Sequence, residues 1–169
     1  MVDGEPQPAS EYEGASAALE FAMWSLDEQL QTIKDIDAKA ERALTLAVAI
    51  LALFSGASTF QWSGLSEPLW LLAPAAVVIG VFLGTVLLFF RCQEAANLYL
   101  GPDGARLLGV SAGQPDPRTR QWMAEVIFRA VAANTQWVDT KDRRYKRLAA
   151  AVIAEAVAAS IAVVVATTV

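Results

Sequence analysis

Residues 141–169 read KDRRYKRLAAAVIAEAVAASIAVVVATTV, and this stretch decides the fold. Five basic side chains occupy its first seven positions, and the 22 residues from Leu148 to Val169 then carry a single charge, on Glu155. A basic segment followed by an apolar run of this length is typical of a transmembrane helix whose basic end stays in the cytoplasm.

Two further runs, 43–60 and 69–90, are apolar and uncharged. As helices with ~1.5 Å rise per residue, the three runs reach about 27 to 33 Å, which is enough to cross a hydrocarbon layer of roughly 30 Å. The alternative is a soluble bundle with unusually apolar core helices, but such helices need a larger protein around them than 169 residues offer. Because a polar, acidic segment precedes the first run, we interpret that run as an anchor and not as a cleaved signal.

The distribution of basic residues predicts the orientation. Loop 61–68 contains Glu67 and none of the 13 Lys and Arg residues. Three basic residues precede the first run, Arg91 follows the second, and nine lie between Arg106 and Arg147. Since Lys and Arg are retained on the cytoplasmic side, we expect the N-terminus and segment 91–147 inside, and loop 61–68 and the C-terminus outside.

Charge and composition exclude several classes of function. Residues 1–43 carry ten acidic and three basic side chains, whereas residues 92–147 carry six acidic and nine basic ones, so the two segments should attract each other. The chain has no His and a single Cys, Cys92, which excludes disulfides, thiolate–imidazole catalysis and Cys/His metal sites. It also lacks Walker, dinucleotide-binding and GxSxG motifs. We therefore expect no enzyme activity, no metal, no cofactor and no nucleic-acid partner.

Two helices are predicted to be unusually long. From residue 15 the chain shows a seam with spacings of four and three, the 3.5-residue repeat of helices that wind about each other, and it enters the first apolar run without a breaker. Its members are Leu19, Met23, Leu26, Leu30, Ile33, Asp37, Ala40 and Leu44. One helix over 15–60 is therefore predicted. A second seam enters the last run in the same way, and its members are Met123, Ile127, Ala130, Asn134, Trp137, Lys141, Arg144 and Leu148.

The ends of the remaining elements follow from turn and capping residues. We expect the second helix to continue to about Leu100, where the sequence GPDG, 101–104, supplies the residue types of a turn. Asp116 and Pro117 offer an N-cap and a proline at the first helical position, so the last helix should begin there.

The predicted fold class is an all-α membrane protein with three transmembrane helices, of which the first and last extend into cytoplasmic helical stalks. Its segments are a flexible acidic tail (1–14), a stalk helix (15–42), a transmembrane helix (43–60), an external loop (61–68), a second transmembrane helix (69–90), a cytoplasmic helical segment (91–147) and a third transmembrane helix (148–169).

Both seams become polar just before the apolar runs. If the stalks pack side by side, an aromatic plane, an amide and several cations would form one layer that could hold a small anionic ligand with a flat base. The candidate ligand-binding residues are Asp37, Lys39, Asn134, Trp137, Lys141 and Arg144. The alternative is structural: the basic residues enforce topology and contact anionic headgroups, while Asp37 is a seam residue paired with one of them.

One charged residue and several small residues within the apolar runs suggest that these helices pack against other helices. Glu155 lies eight residues past Arg147, about 12 Å into the third run, where an ionised carboxylate is costly unless it faces protein, water or a partner. It is either a pore-lining or proton-sensitive group, or a protonated carboxyl hydrogen-bonded to a neighbouring helix. Gly80 and Gly84 form a GxxxG pattern that lets helices approach closely, which gives weak support to a homo-oligomer.

Two short elements resemble those of a known family. The stretch IDAKA at 36–40 and the stretch RYKRL at 144–148 each lead directly into an apolar run. They are similar to the "D-x-K-A" and "K-Y-x-x-L" elements of the Pycsar transmembrane effectors, a family of anti-phage membrane proteins. The matching positions are Asp37, Lys39, Ala40, Tyr145 and Leu148, which adds Tyr145 to the candidate ligand-binding residues, while Arg144 stands where the family has lysine.

The resemblance implies an effector of bacterial immunity in the inner membrane. A partner cyclase would make cyclic UMP or cyclic CMP in response to phage, the effector would bind it, and loss of membrane integrity would halt growth of the infected cell. Two alternatives remain open on the residues alone. One is an accessory or structural membrane subunit whose stalks dock a soluble partner, and the other is a small ion channel that uses Glu155.

Overall fold

The structure is a computed structural model that describes residues 14–61, 72–94, 98–102, 109 and 116–168. This part of the chain is all-helical, as predicted: it contains three helices, α1 (Ala15–Gln61), α2 (Leu72–Gln93) and α3 (Asp116–Thr168), and no strand. The predicted tail up to residue 13, the external loop from residue 62 and the terminal Val169 lie outside the described residues.

The 47-residue helix α1 confirms the prediction of one long helix over 15–60. It begins where Ala18 N donates to the Gly14 carbonyl oxygen at 2.8 Å, and no glycine or proline follows before Gly56. Hydroxyl side chains along α1 donate to the backbone carbonyl four residues earlier and so add no unsatisfied polar group to the helix. These are Ser25, Thr32, Thr45 and Ser55.

The prediction that α2 continues to about Leu100 is wrong, because α2 ends at Gln93 and residues 98–100 are not helical. The backbone of Tyr99 is bonded instead to the Asn134 side chain: Tyr99 N donates to Asn134 Oδ1 at 3.0 Å, and Asn134 Nδ2 donates to Tyr99 O at 2.9 Å. A side-chain amide thus satisfies both backbone groups that a helix would otherwise pair. Gly101 follows with φ of 127°, a conformation that favours glycine.

Helix α3 begins at Asp116, as the capping pattern predicts, and spans 53 residues. Asp116 forms an ion pair with Arg120 one turn later, so a negative charge lies beside the helix N-terminus. Pro117 occupies the first turn, where its missing N–H costs nothing, and no proline or glycine interrupts the helix after it.

Two helices are long and apolar enough to cross a membrane, α2 over residues 73–93 and the apolar part of α3, each with a window of mean hydropathy 2.4. The run 43–60 is helical in α1, but the side chains of 57–61 lie outside the described part. A third membrane span therefore stays a prediction, as do the orientation and the assignment of the remaining helix lengths as cytoplasmic stalks.

Residue contacts divide the chain into two units. The first unit comprises Met1–Ile33 and Ala96–Asp139, and the second comprises Lys34–Ala95 and Thr140–Val169. In the first unit, Ala22 packs against Ala124 and Ile127, with larger side chains such as Leu26 around them. In the second unit, one apolar cluster contains Ile36, Ala40, Cys92 and Leu148, and another contains Val78, Ala159 and Ala162.

Burial confirms both predicted seams except at one member of each, where the buried position lies one residue away. Along α1 the buried and half-buried positions repeat with spacings of four and three, and they include Ala22 where the prediction has Met23, which is 57% exposed. Along α3 they include Val138 where the prediction has Trp137, which is 40% exposed. A 3.5-residue repeat allows either neighbour, and small side chains occupy the closely packed face where the larger ones were expected.

Candidate functional site

Asp37 of α1 and Lys141 of α3 form an ion pair within the second unit. Lys141 Nζ donates a hydrogen bond to Asp37 Oδ2 at 2.8 Å and lies 2.7 Å from Asp37 Oδ1. The lysine side chain is only 10% exposed, and the aspartate side chain is 31% exposed. Because an unpaired ammonium group is costly to bury, the Asp37 carboxylate is what allows Lys141 to occupy a buried position of α3.

Arg144, one turn further along α3, contacts the end of α2. Its Nη1 donates to the Arg91 carbonyl oxygen at 2.7 Å and to Glu94 Oε2 at 2.7 Å. The Arg91 carbonyl is one of the last four of α2, and these carbonyl groups have no N–H partner within the helix. A cation at this end also interacts favourably with the helix dipole, so Arg144 caps α2.

A buried thiol lies close to both ion pairs. Lys141, Asp37 and Arg144 all act electrostatically on Cys92, which is fully buried beside Leu148. We call the four charged side chains Asp37, Glu94, Lys141 and Arg144 the ion-pair cluster. It lies against an apolar cluster that also holds the half-buried Tyr145.

The two pairs differ in how easily an external anion could replace the carboxylate. In the Arg144–Glu94 pair the side chains are 31% and 61% exposed, and such solvent-exposed pairs contribute about 0–1 kcal/mol. Lys141 is more deeply buried, so separating it from Asp37 costs more. The arrangement can therefore exchange Glu94 for another anion on Arg144 first, and Asp37 on Lys141 only with further rearrangement.

The remaining candidate ligand-binding residues are divided between the two units. Lys39 is exposed in the second unit, whereas Asn134 and Trp137 belong to the first. Asn134 is 1% exposed, and its amide is bonded to the Tyr99 backbone. In the second unit the structure therefore brings together Asp37, Lys141, Arg144 and Tyr145 of the predicted residues.

Two residues near the candidate groups, Glu94 and Thr85, were not predicted from the sequence. Glu94 immediately follows α2 and is the first acidic residue after Arg91. The sequence therefore offered it as a possible partner for the basic residues at 141–147. Thr85 had no such signal, because hydroxyl residues within apolar helices usually bond to their own backbone.

Glu155 is a second buried ionisable residue, within the apolar part of α3. It is 0% exposed, as is Thr85 of α2, and the Thr85 hydroxyl lies close enough to interact with the Glu155 side chain. That hydroxyl donates to the Val81 carbonyl oxygen at 3.1 Å, and among the described residues neither Glu155 oxygen has a hydrogen-bond partner.

The glycines Gly80 and Gly84 do not pack against another helix of the described chain. A Cβ placed on either would meet nothing within 4 Å apart from its own helix and chain neighbours. The role of this GxxxG pattern in a homo-oligomer therefore stays a prediction.

In the described residues, no group of three or more His, Cys, Asp or Glu side chains could hold a metal ion. Comparison with known proteins gives no match to any protein-family model, curated protein or solved structure.

Proposed function

We propose that this chain is a nucleotide-activated membrane effector of bacterial anti-phage defence, located in the inner membrane with its N-terminus in the cytoplasm and its C-terminus outside. The observation that carries the proposal is the Arg144–Glu94 pair at the end of α2. The Glu94 carboxylate is weakly held there, and a phosphate could take its place on the Arg144 guanidinium. The resemblance of 36–40 and 144–148 to the Pycsar transmembrane effectors supports a cyclic pyrimidine nucleotide as that anion.

The proposed activation begins with exchange of anions on Arg144. A cyclic UMP or cyclic CMP phosphate takes the place of Glu94 on the guanidinium, which at present also caps α2 through the Arg91 carbonyl. Recruitment of Lys141 to the same phosphate then releases Asp37 and changes the contact of α3 with α1. Since a ligand shifts a conformational equilibrium only through contacts that differ between the states, these exchanged ion pairs supply the difference.

The consequence for the membrane follows from the continuity of α3. Arg144 and Lys141 lie on the same helix as the apolar segment that contains Glu155, so a rotation that starts at the ion pairs reorients that segment as well. We propose that the reoriented segments of several chains associate or open and that membrane integrity is then lost. The partners are thus the lipid bilayer, further copies of the chain and the nucleotide made by a partner cyclase.

Isothermal titration calorimetry on the detergent-solubilised full chain tests the binding step. We expect heat with cyclic UMP or cyclic CMP, and a loss of affinity of about tenfold or more in Arg144→Ala, because a charge-assisted hydrogen bond is worth about 1.5–3 kcal/mol. The matched control is Lys146→Ala, which removes an exposed cation paired with Asp142 on the same helix and should leave the affinity unchanged.

Absence of heat with both nucleotides, while a cognate cyclase still makes the protein toxic in cells, would refute direct nucleotide gating. Equal loss of affinity in Arg144→Ala and Lys146→Ala would show a general charge effect and would move the site away from the ion-pair cluster.

A second candidate function is docking of a soluble partner by an accessory membrane subunit. The first unit exposes an aromatic patch in which the rings of Phe21 and Trp24 lie 5.6 Å apart and those of Phe21 and Phe128 lie 6.0 Å apart. Exposed aromatic groups of this kind occur in protein interfaces. A nucleotide-cyclase gene beside the gene for this chain favours the effector, and a transport or enzyme operon favours the accessory subunit.

A further inference from the structure

The carboxyl group of Glu155 lies in an environment that does not support a negative charge. It is fully buried, its neighbours on α3 are apolar, and within the described chain both of its oxygens lack a hydrogen-bond partner. An ionised carboxylate in such a place loses its hydration without receiving donors in exchange. The neutral acid avoids this cost.

Thr85 determines which form of the carboxyl group can make a hydrogen bond. A threonine hydroxyl has one hydrogen and two acceptor lone pairs, and the Thr85 hydrogen is already donated to the Val81 carbonyl oxygen. While this bond to Val81 is kept, the Thr85 Oγ1 can only accept toward Glu155. A bond between the two side chains requires that the carboxyl group carries the proton.

The apolar segments of α1 and α2 contain no titratable side chain. Residues 43–61 of α1 and 72–90 of α2 contain no Asp, Glu, Lys, Arg, Tyr or Cys. The nearest charged residues along the three helices are Arg42, Arg91 and Arg147, at the ends of the apolar segments. No cation within these segments is available to stabilise an ionised Glu155.

We propose that Glu155 and Thr85 form a proton-binding site within the apolar segments, in which Glu155 is a neutral carboxylic acid that donates a hydrogen bond to Thr85 Oγ1. The proton is released to water when α2 and α3 separate and the carboxyl group becomes hydrated. The site then acquires one negative charge per chain, which disfavours return of α3 to its apolar contacts. This inference does not depend on the identity of the activating ligand.

Infrared spectroscopy of the full chain in lipid bilayers at neutral pH tests the site. The spectrum of the wild type minus that of Glu155→Gln should contain the C=O stretch of a protonated carboxylic acid, and this band should shift to lower frequency in D2O. Thr85→Val should move the band to higher frequency, because the hydrogen bond to the hydroxyl is lost, whereas Thr85→Ser keeps the acceptor and should leave the band in place.

Two results would overturn the proposal. If the difference spectrum shows the paired stretches of a carboxylate and no acid band, Glu155 is ionised and binds a cation or water in place of a proton. If the acid band is present but does not move in Thr85→Val, Thr85 is not the acceptor. Should Glu155→Gln fail to fold, the acid band and its D2O shift in the wild type still decide the protonation state, since solvent-exposed carboxyl groups are ionised at neutral pH.

Discussion

At the scale of single residues, the Asp37–Lys141 pair is the clearest case of a buried charge that needs its partner. Lys141 is 10% exposed at its side chain and its Nζ contacts both oxygens of Asp37. We expect Asp37→Ala to lower the free energy of unfolding by about 1–3 kcal/mol, because Lys141 is then left without its buried acceptor. The double variant Asp37→Ala with Lys141→Met should recover most of this loss, since an apolar pair of similar volume needs no counter-charge.

Thermal unfolding in detergent, followed by circular dichroism, measures these differences. The control is Asp142→Ala, which breaks an exposed pair four residues apart on α3 and should change the stability by less than about 0.5 kcal/mol. An Asp37→Ala variant as stable as the wild type would show that Lys141 leaves the interior without cost, and the ion-pair cluster would lose its structural role.

At the scale of the helices, one position of the α1 seam in the first unit is assigned differently by sequence and structure. Ala22 is 0% exposed and packs against Ala124 and Ile127, whereas Met23 is 57% exposed. Ala22→Leu should therefore destabilise the full chain by about 1–3 kcal/mol through overpacking. Met23→Leu should change stability by no more than about 0.5 kcal/mol, as surface substitutions usually do. The same thermal measurement distinguishes the two registers, and the opposite ranking would restore Met23 to the seam.

Much of the helical architecture was predictable because its signals are local. The start of α3 at Asp116 follows from a capping residue and a proline, and the length of α1 follows from an unbroken periodicity that runs into an apolar segment. The end of α2 was not predictable in this way, since it depends on Asn134, whose amide bonds to the backbone of Tyr99 35 residues away. The local sequence favours continuation of α2, but the contact of Asn134 with Tyr99 holds this backbone in a non-helical conformation.

In the candidate site, too, some features follow from local sequence signals and others from tertiary contacts. The basic and acidic residues that make up the ion-pair cluster were mostly identified from their position before the apolar runs, and the pairing of Asp37 with a basic residue of the last helix was one of the two interpretations. Which cation it meets, and that Glu94 holds Arg144, depends on the packing of three helices. Trp137 was expected on the seam because it lies three residues after Asn134 and four before Lys141, but it is exposed.

At the scale of the whole molecule, the proposed function requires that binding at the ion-pair cluster changes the permeability of a bilayer. The described chain supplies two helices that are long and apolar enough to cross a membrane, and one of them also carries Lys141, Arg144 and Glu155. Substitutions at the cluster that leave the apolar segments intact should therefore weaken nucleotide binding and nucleotide-triggered membrane disruption together.

Dye release from liposomes that contain the purified full chain measures this central claim most directly. The account predicts release when cyclic UMP or cyclic CMP is added on the side of the ion-pair cluster, at least tenfold less release at the same nucleotide concentration for Arg144→Ala, and unchanged release for Lys146→Ala. Release that is the same with and without nucleotide, or no release from liposomes in which calorimetry shows the nucleotide bound, would contradict it.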